Sequence, residues 1–354
     1  MNKRYSRGIG VMSGTSLDGL DLAYCEFSWD DGIVPAYRLL HAETIAYSAA
    51  LKKSLQQAYS GSAEQYFESN ATYGSFIAAE IQAFIQKHGL ITDFIASHGH
   101  TVFHRPALGF STQMGCGATI AAHTDITTVC DFRSLDVANG GQGAPLVPIG
   151  DELLFGQYAA CLNLGGIANI SFGSDQGRKA FDICVINMAL NHFSEMMGRP
   201  YDDGGELAAS GRIQEPLLKA LNAAQARQNH RSLGREFFEK EFLPVTRAFP
   251  VPVEDILATC VEHSAQQIAQ VLREKNLKNV LVTGGGAYNT YFIERLKTYY
   301  PGDIIVPDDL TIQFKEALVF AFLGYLRLRD KTNTLKSVTG AKSDSVGGAV
   351  YFVK

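Results

Sequence analysis

The sequence predicts a two-lobed α/β protein in which each lobe begins with a glycine-turned β-hairpin. The chain has 354 residues, more than one hydrophobic core usually organises, so two lobes of roughly 150 to 200 residues are expected. Strand patterns alternate with helical patterns along the chain, which is typical of α/β folds. Segments 9–21 and 160–171 each contain a strand, a glycine turn and a second strand. We therefore expect a duplicated unit, with one lobe over 1–150 and the other over 151–354.

Composition and charge narrow the class of protein. Hydrophobic residues make up 46% and charged residues 19% of the chain, as in an ordinary globular enzyme. The net charge of -5 provides no basic surface, so nucleic acid is not an expected partner. The six cysteines lack C-x-x-C pairs and short disulfide spacings, which favours reduced core thiols. No signal peptide is apparent, and the longest apolar run, 317–326, is about half of the roughly 20 residues that span a bilayer. We expect a cytoplasmic protein without membrane partners.

The turn within 9–21 is typical of a phosphate-binding site. Glycine lets backbone N–H groups approach a phosphate, and serine and threonine hydroxyls add donors. An aspartate can hold the magnesium that accompanies a nucleoside triphosphate. The alternating pattern after the turn predicts a strand, whereas P-loop and Rossmann motifs open a helix. The alternative is an ordinary hairpin with a polar turn. The predicted ATP contacts are Gly14, Thr15, Ser16, Leu17, Asp18, Gly19, Leu20 and Asp21, with Asp18 as the magnesium ligand.

The rest of the first lobe continues as helices and strands with polar ends. Apolar residues recur three and four apart over 50–59 and 63–88, which predicts two helices. Strands over 93–97 and 126–130 each end at polar residues, the usual place for ligand contacts in open α/β sheets. Glycines and prolines over 139–148 predict a loop that crosses between the lobes near residue 150.

The second lobe repeats the glycine-rich chemistry. After the hairpin at 160–171, the strand over 279–283 leads into a glycine triplet, and 291–299 has the pattern of an amphipathic helix. Such glycines permit close approach to a flat ligand such as adenine or its ribose, although a tightly packed helix entry is the alternative. The repetition suggests a nucleotide bound between the lobes. The predicted contacts here are Asn163, Gly165, Gly166, Gly284, Gly285, Gly286 and Asn289.

Eight segments together identify a family. They are GVMSGTSLDGLD at 10–21, HGHTVFHRP at 98–106, DFRSLDVANGGQGAPLVP at 131–148, LNLGGIANIS at 162–171, RPYDDGGELAASG at 199–211, GREFF at 234–238, TGGGAYN at 283–289 and SVTGA at 337–341. With them the chain resembles the anhydro-N-acetylmuramic acid kinases. These belong to the hexokinase, actin and sugar-kinase group, so the resemblance implies a two-lobed ribonuclease-H-like fold.

The resemblance also implies a reaction and its residues. In that family ATP phosphorylates O6 of 1,6-anhydro-N-acetylmuramic acid while water opens the anhydro bridge, giving N-acetylmuramic acid 6-phosphate and ADP during cell-wall recycling. By position Asp182 is the base. The sugar would be held by His100, Thr101, Arg133 and Glu316, the last at the start of a helix, and a homodimer is a possible assembly. The chain departs from the family at His100, where glutamine is usual, and at 182–187, where D-I-C-V-I-N replaces D-T-G-P-G-N.

Several alternatives stay open at this point. The protein is either this kinase, another sugar kinase whose Asp182 deprotonates a substrate hydroxyl, or a nucleotide- or sugar-binding protein without turnover, as the altered 183–186 would allow. Zinc binding by His98, His100 and His104 is disfavoured, because the sequence offers no fourth ligand at similar spacing. Arg133 has the alternative of a surface ion pair with Asp131 or Asp136.

Overall fold

The computed structural model describes residues 5–14, 17–29, 35–227 and 233–353. Its strands, in chain order, are β1 Ser6–Ser13, β2 Gly19–Ser28, β3 Ala36–Ala46, β4 Phe94–Arg105, β5 Phe110–Met114, β6 Thr128–Cys130, β7 Ala160–Leu164, β8 Ile167–Ser174, β9 Gly177–Val185, β10 Asn279–Thr283, β11 Asp303–Ile305 and β12 Ala349–Tyr351. Both predicted hairpins are therefore present.

The helices follow the predicted positions closely where the apolar period is strong. They are α1 Ala49–Gln57, α2 Ala63–His88, α3 Gly117–Thr124, α4 Ser134–Ala138, α5 Pro148–Leu153, α6 Asn187–Met196, α7 Glu206–Ser210, α8 Glu215–Ala226, α9 Arg235–Phe237, α10 Leu243–Arg247, α11 Val253–Glu274, α12 Thr290–Tyr299, α13 Asp309–Arg327 and α14 Lys336–Thr339. A π-helical turn, Phe238–Phe242, connects α9 with α10. In the described part of the chain, no helix is long and apolar enough to cross a membrane.

The chain forms two compact units. The first unit comprises Met1–Phe155, Gln176–Arg178 and Phe314–Lys354, and the second comprises Gly156–Asp175 and Lys179–Gln313. The sequence placed the whole of 151–354 in the second lobe, whereas 314–354 group with the first unit. Helix α13 approaches β1 so closely that a Cβ added to Gly10 would lie 1.9 Å from the carbonyl oxygen of Ala317. Strand β12 also pairs with β6 of the first unit.

The first-unit sheet has the order β12-β6-β4-β1-β2-β3, with β5 paired to β4. Strand β1 is antiparallel to β2, and β2 to β3, while β4 is parallel to both β1 and β6. Apolar side chains of the sheet and of α2 form a buried cluster. Helix α2 begins at a capping box formed by Ser62 and Gln65 and ends at Gly89 in the left-handed conformation.

The second-unit sheet has the order β11-β10-β7-β8-β9. Strand β7 is antiparallel to β8 and parallel to β10, and β10 is parallel to β11. Five strands of each sheet follow the same order. In the first sheet it is β3-β2-β1-β4-β6, if β5 at the side of β4 is left out, and in the second sheet it is β9-β8-β7-β10-β11. The same topology therefore occurs twice, which confirms the predicted duplication and the ribonuclease-H-like fold class.

Three local predictions differ from the structure. Strand β4 continues to Arg105 instead of ending at residue 97, because β5 pairs with its second half. Helix α13 begins at Asp309, so Glu316 lies two turns inside it; the Asp308 carboxylate caps the start by accepting the Thr311 amide. The loop 139–148 stays within the first unit, and the chain leaves that unit after Phe155.

Candidate active site

The first predicted phosphate turn joins β1 to β2. Thr15 and Ser16 lie outside the described residues. The carbonyl of Gly14 accepts a hydrogen bond from the amide of Leu17 at 3.3 Å. Leu17 has φ 60°, a left-handed conformation that a branched residue adopts at a cost of about 1–2 kcal/mol. The Leu17 and Leu20 side chains are buried, so these two residues have only backbone groups to offer a phosphate.

Of the remaining residues of this turn, the glycine is required by strand packing and the two aspartates provide polar groups. A Cβ at Gly19 would lie 2.7 Å from the Ile45 carbonyl oxygen, so strand packing alone requires glycine there. The Asp21 carboxylate accepts a hydrogen bond from Thr44 at 2.6 Å. Burial raises the pKa of Asp21, the Thr44 bond opposes this, and the charge of Asp18 raises it further. Asp18 itself is exposed at the turn.

A hydrogen-bond chain connects this turn with β4. The Tyr47 hydroxyl donates to Ser13 Oγ at 2.7 Å and lies 2.7 Å from the Tyr73 hydroxyl. Ser13 Oγ lies 3.3 Å from Nδ1 of His100. Burial lowers the pKa of His100, and a backbone hydrogen bond with Gly14 opposes this. His100 is therefore connected by hydrogen bonds to the turn predicted to bind phosphate, a connection that the local sequence pattern did not indicate.

Arg133 follows β6 and bonds to two neighbours within the first unit. Its Nε and Nη2 groups donate to Nε2 of His98 at 3.1 and 2.8 Å, and Nη1 donates to the Gly143 carbonyl at 2.7 Å. Burial lowers its pKa to about 10, and the charge of Glu316 opposes the shift. From the sequence, His98 was considered as a disfavoured zinc ligand, and its contact with Arg133 was missed.

The surface ion pair proposed as the alternative for Arg133 is not the arrangement found. Asp131 accepts a hydrogen bond from the Ser134 hydroxyl at 2.6 Å. Asp136 is buried and accepts from the Gly143 amide and the Thr339 hydroxyl, both at 2.7 Å. Asp136 therefore organises the loop whose Gly143 carbonyl holds Arg133.

Thr101 and Glu316 complete the predicted sugar contacts of the first unit. The Thr101 hydroxyl lies 3.5 Å from Nε2 of Gln113 on the paired strand β5. Glu316 keeps solvent-accessible surface. The protein around it nevertheless reduces its hydration and raises its pKa, while the positive charges of Arg133 and Lys315 oppose the shift. The structure thus brings Glu316 into the electrostatic field of Arg133, although 183 positions separate them in sequence.

In the second unit, the hairpin turn and the glycine triplet are neighbours. Gly284 follows β10 with φ 83°, and a Cβ there would lie 2.5 Å from Asn163 Oδ1. A Cβ at Gly286 would lie 2.7 Å from the Leu164 Cβ. Both glycines are required by packing. By contrast, Cβ atoms at Gly166 and Gly285 would meet described atoms only at 3.7 and 3.9 Å, which are ordinary contacts.

A cavity of ≈ 410 Å³ adjoins the glycine triplet, wholly within the second unit. Asn289 lines it and caps α12, its Oδ1 accepting the Phe292 amide at 2.8 Å. Asp202, from the 199–211 motif, is also a cap, because it accepts the amides of Leu207 and Ala208. Cavity-lining residues without an earlier assignment include Asn187, Asn191, Tyr201, Asp203 and Tyr288.

Asp182 lies on β9 of the second unit. Its Oδ2 accepts the amide of Leu233 at 3.0 Å. The residues that follow it, where the chain departs from the family, continue the strand: β9 extends to Val185, and the side chains of 183–186 are buried in the second-unit core. Asn187 then opens α6 and donates to the Leu164 carbonyl at 2.9 Å. The bulky substitutions in this segment are thus accommodated by core packing.

The zinc alternative has no support in the described part of the structure, where no three His, Cys, Asp or Glu side chains form a group able to hold a metal. Both ring nitrogens of His98 contact protein groups, Gly99 and Arg133. The cysteines are all free thiols.

The repeated sheet and its glycine turns define a ribonuclease-H-like α/β protein of the hexokinase and actin type. The family profile of anhydro-N-acetylmuramic acid kinase matches residues 6–353. The family's protein from Pasteurella multocida is 37% identical over 97% of this chain and 96% of its own, and that from Sulfurimonas denitrificans 34% over 97% and 98%. A solved structure, (R)-2-hydroxyglutaryl-CoA dehydratase component A from Acidaminococcus fermentans, has a TM-score of 0.47 and 14% identity over 90% of this chain and 96% of its own. The chain belongs to the anhydro-N-acetylmuramic acid kinase family.

Proposed function

We propose that this protein transfers the γ-phosphoryl group of ATP to O6 of 1,6-anhydro-N-acetylmuramic acid while water opens the anhydro bridge. The products are N-acetylmuramic acid 6-phosphate and ADP, and the role is recycling of cell-wall sugars. The observation that carries the proposal is the family match over residues 6–353. The polar residues described in each unit are assigned roles in this reaction.

Asp182 acts as the general base toward water. A glycosidase usually needs a second carboxyl group to protonate the leaving oxygen, whereas here that oxygen is captured by the phosphoryl group, so one carboxylate suffices. The Leu233 amide, 3.0 Å from Oδ2, orients the carboxylate. Removal of a general base typically costs about 10²- to 10⁴-fold in rate.

The sugar is held by donors and acceptors of the first unit. Arg133 donates to acceptor oxygens of the sugar, and the ionised Glu316 accepts from its hydroxyl groups. His100 and Thr101 add hydrogen bonds from the central strand β4. Because Glu316 lies in the field of Arg133, the pair presents opposite charges to a substrate that has both hydroxyl and carbonyl groups.

ATP binds through open backbone at both glycine turns and through the cavity of the second unit. The space in front of Gly166 and Gly285 allows a phosphate or ribose to approach the backbone. The cavity of ≈ 410 Å³ is within the range of small-molecule sites. While Asn289 Oδ1 caps α12, its NH₂ group remains a donor for the nucleotide.

The residues at the first turn fit a magnesium ion that accompanies ATP. Magnesium is usually held by one or two carboxylates together with phosphates and water, so no all-protein cage is needed. Asp18 presents an exposed carboxylate, and its charge already raises the pKa of Asp21. A cation there would relieve this repulsion. When bound, magnesium supplies charge neutralisation for phosphoryl transfer.

The test measures ATP consumption that depends on the anhydro sugar, carried out in ¹⁸O-labelled water. We expect label at the anomeric carbon of the product and a loss of about 10²- to 10⁴-fold in Asp182→Asn. The matched control is Asp175→Asn, an exposed carboxylate between β8 and β9, which should retain activity. Product without label would favour another sugar kinase, and tight binding without turnover would favour a non-catalytic binding protein.

The reaction should take place on small molecules inside the cell, and the enzyme is expected to be a dimer. We expect a cytoplasmic homodimer that acts on small molecules and not on nucleic acid, in line with the net charge of -5. Light scattering of the purified protein measures the mass directly. A monomer at micromolar concentration would contradict the dimer without affecting the proposed reaction.

A further inference from the structure

His98 is a buried histidine that faces the arginine of the sugar site. Its side chain is 4% exposed, and both ring nitrogens lie within hydrogen-bond distance of protein groups. Nδ1 lies 2.7 Å from the carbonyl oxygen of Gly99, and Nε2 lies 3.1 and 2.8 Å from two nitrogens of Arg133. A carbonyl only accepts and a guanidinium only donates. The contacts therefore fix one tautomer, with hydrogen on Nδ1 and a lone pair on Nε2.

The neutral form of His98 is enforced by its surroundings. Burial lowers its pKa to about 3, and the positive charge of Arg133 contributes in the same direction. The Nδ1 bond depends on Gly99, whose φ of 72° is left-handed and where a Cβ would lie 2.3 Å from the Met114 carbonyl oxygen. The glycine therefore allows β4 to turn its carbonyl toward the ring while β5 stays paired.

The guanidinium of Arg133 has more donors than this environment uses. It has five N–H groups. Nε and Nη2 each direct one to His98, and Nη1 directs one to Gly143. Among the residues that the structure describes, the second N–H of Nη1 and that of Nη2 have no hydrogen-bond acceptor. These two N–H groups are on the two terminal nitrogens of the guanidinium, and they fit one or two acceptor oxygens.

Helix α13 fixes the ring from its other side. The ring of Phe320 lies 4.5 Å from that of His98, centroid to centroid. Phe320 is one turn after Glu316 on α13, so the two side chains share one face of the helix. The histidine ring therefore contacts both the arginine donor and the helix that bears the carboxylate acceptor.

We propose that His98 is a positioning residue for sugar binding: it holds Arg133 so that the two terminal N–H groups stay free for acceptor oxygens of the sugar. The inference rests on the proposed role of Arg133. It assigns no proton transfer to His98. It explains how a histidine can lie beside an arginine here, since a neutral ring with a lone pair on Nε2 accepts from the guanidinium, whereas an imidazolium could not.

The experiment compares two substitutions of His98. In His98→Gln the amide oxygen replaces the Nε2 acceptor, whereas His98→Leu removes it and keeps an apolar side chain. We expect His98→Leu to raise KM for the anhydro sugar about tenfold to a hundredfold, with KM for ATP unchanged, and His98→Gln to recover most of this loss. Equal sugar KM values for wild type and His98→Leu, or no recovery in His98→Gln, would overturn the inference.

A matched control separates positioning from general loss of stability. His263 is also fully buried but lies in the second unit, bonded to Asn222. His263→Leu should lower the unfolding temperature yet leave KM for the sugar unchanged. If it raises the sugar KM as much as His98→Leu does, the effect is a general consequence of a perturbed fold and the inference fails.

Two further measurements distinguish a failure of the positioning role of His98 from a failure of the proposed function. Nitrogen-15 spectra of histidine-labelled protein should show a signal from a neutral ring with hydrogen on Nδ1 that is absent in His98→Gln but present in His263→Leu, whether or not the enzyme turns over. An imidazolium or an Nε2–H tautomer near neutral pH overturns the inference. If Arg133→Ala leaves the sugar KM unchanged, the proposed role of Arg133 fails, and the positioning role fails with it.

Discussion

The predicted site residues were each inferred separately from the sequence. In the structure several of them interact through contacts that the sequence does not show. Arg133 and Glu316 were proposed from motif positions, but their electrostatic coupling and the His98 contact arise only in the fold. His98, His100 and Thr101 were adjacent in one motif. In the structure their contacts differ. His98 contacts Arg133, His100 contacts Ser13 beside the predicted phosphate turn, and Thr101 contacts Gln113. Periodicity cannot predict such differences, because they depend on residues from distant segments.

Glu316 provides a prediction about pH. Its raised pKa means that a carboxylate needed to accept sugar hydroxyls is protonated at a higher pH than the usual value of about 4.3 for glutamate. We expect KM for the sugar to rise as pH falls through this raised pKa. Initial rates over a pH series, at saturating ATP, measure the effect. An acid limb at the ordinary glutamate pKa, or one unchanged in Glu316→Gln, would contradict it.

The same residue provides a prediction about stability. A carboxyl whose pKa is raised by folding stabilises the folded state below its unfolded pKa, and this contribution is lost as pH rises through the folded pKa. At neutral pH the ionised carboxylate of Glu316 therefore costs some stability. Glu316→Gln should lose roughly tenfold to a hundredfold in kcat/KM, the equivalent of about 1.5–3 kcal/mol for a charged hydrogen bond, while unfolding at higher denaturant concentration than wild type. Lower stability of Glu316→Gln at pH 7 would refute this assignment.

At the scale of elements, local patterns predicted most of the architecture. The two hairpins, α2 and the strand before the glycine triplet follow from alternation, apolar period and turn residues, which act over a few positions. The end of β4 and the start of α13 were misplaced, since pairing with β5 and the Asp308 cap decide them. Within 183–186 the family usually has a glycine-proline-glycine stretch, whereas here β-branched residues continue the strand into the core.

Two glycines of the second unit should respond differently to substitution by alanine. Gly284→Ala places a Cβ 2.9 Å from backbone atoms of Leu164, at a residue whose φ is 83°. We therefore expect the unfolding free energy to fall by about 1–3 kcal/mol. Gly166→Ala meets only ordinary contacts and should change stability by less than about 0.5 kcal/mol. Its Cβ would instead occupy the space proposed for phosphate and raise KM for ATP. Denaturant unfolding and ATP titration of both variants distinguish packing from ligand approach; equal effects would contradict the division.

At the scale of the whole molecule, chain length and sequence repetition predicted two units but not which residues belong to each. The first unit takes residues from three separate parts of the chain. The apolar run 317–326 indicated a buried helix without indicating against which sheet, and only the close approach of α13 to Gly10 decides this. Contacts between segments about 300 positions apart have no local signal.

Each of the three segments of the first unit contributes one charge to a buried cluster. Asp151 from α5, Arg178 from β9 and Lys315 from α13 are all nearly inaccessible to solvent. Lys315 Nζ lies 2.6 Å from Asp151 Oδ1, and Arg178 Nη2 lies 4.0 Å from Asp151 Oδ2. Each residue lies within five positions of a point where the chain passes from one unit to the other. The cluster therefore joins the segments that make the first unit discontinuous in sequence.

Removal of the shared carboxylate should destabilise the first unit strongly. Breaking a buried ion pair from one side costs about 3–5 kcal/mol, because the remaining charge stays desolvated. We expect Asp151→Asn to lose stability in this range. Asp330→Asn removes the partner of Arg327 from an exposed pair and should cost about 0–1 kcal/mol. Since the charge of Asp151 also raises the pKa of Glu316, the acid limb of the sugar KM should move to lower pH in Asp151→Asn. Denaturant unfolding and the pH series test both effects, and equal stability of the two variants would show that the cluster does not hold the three segments together.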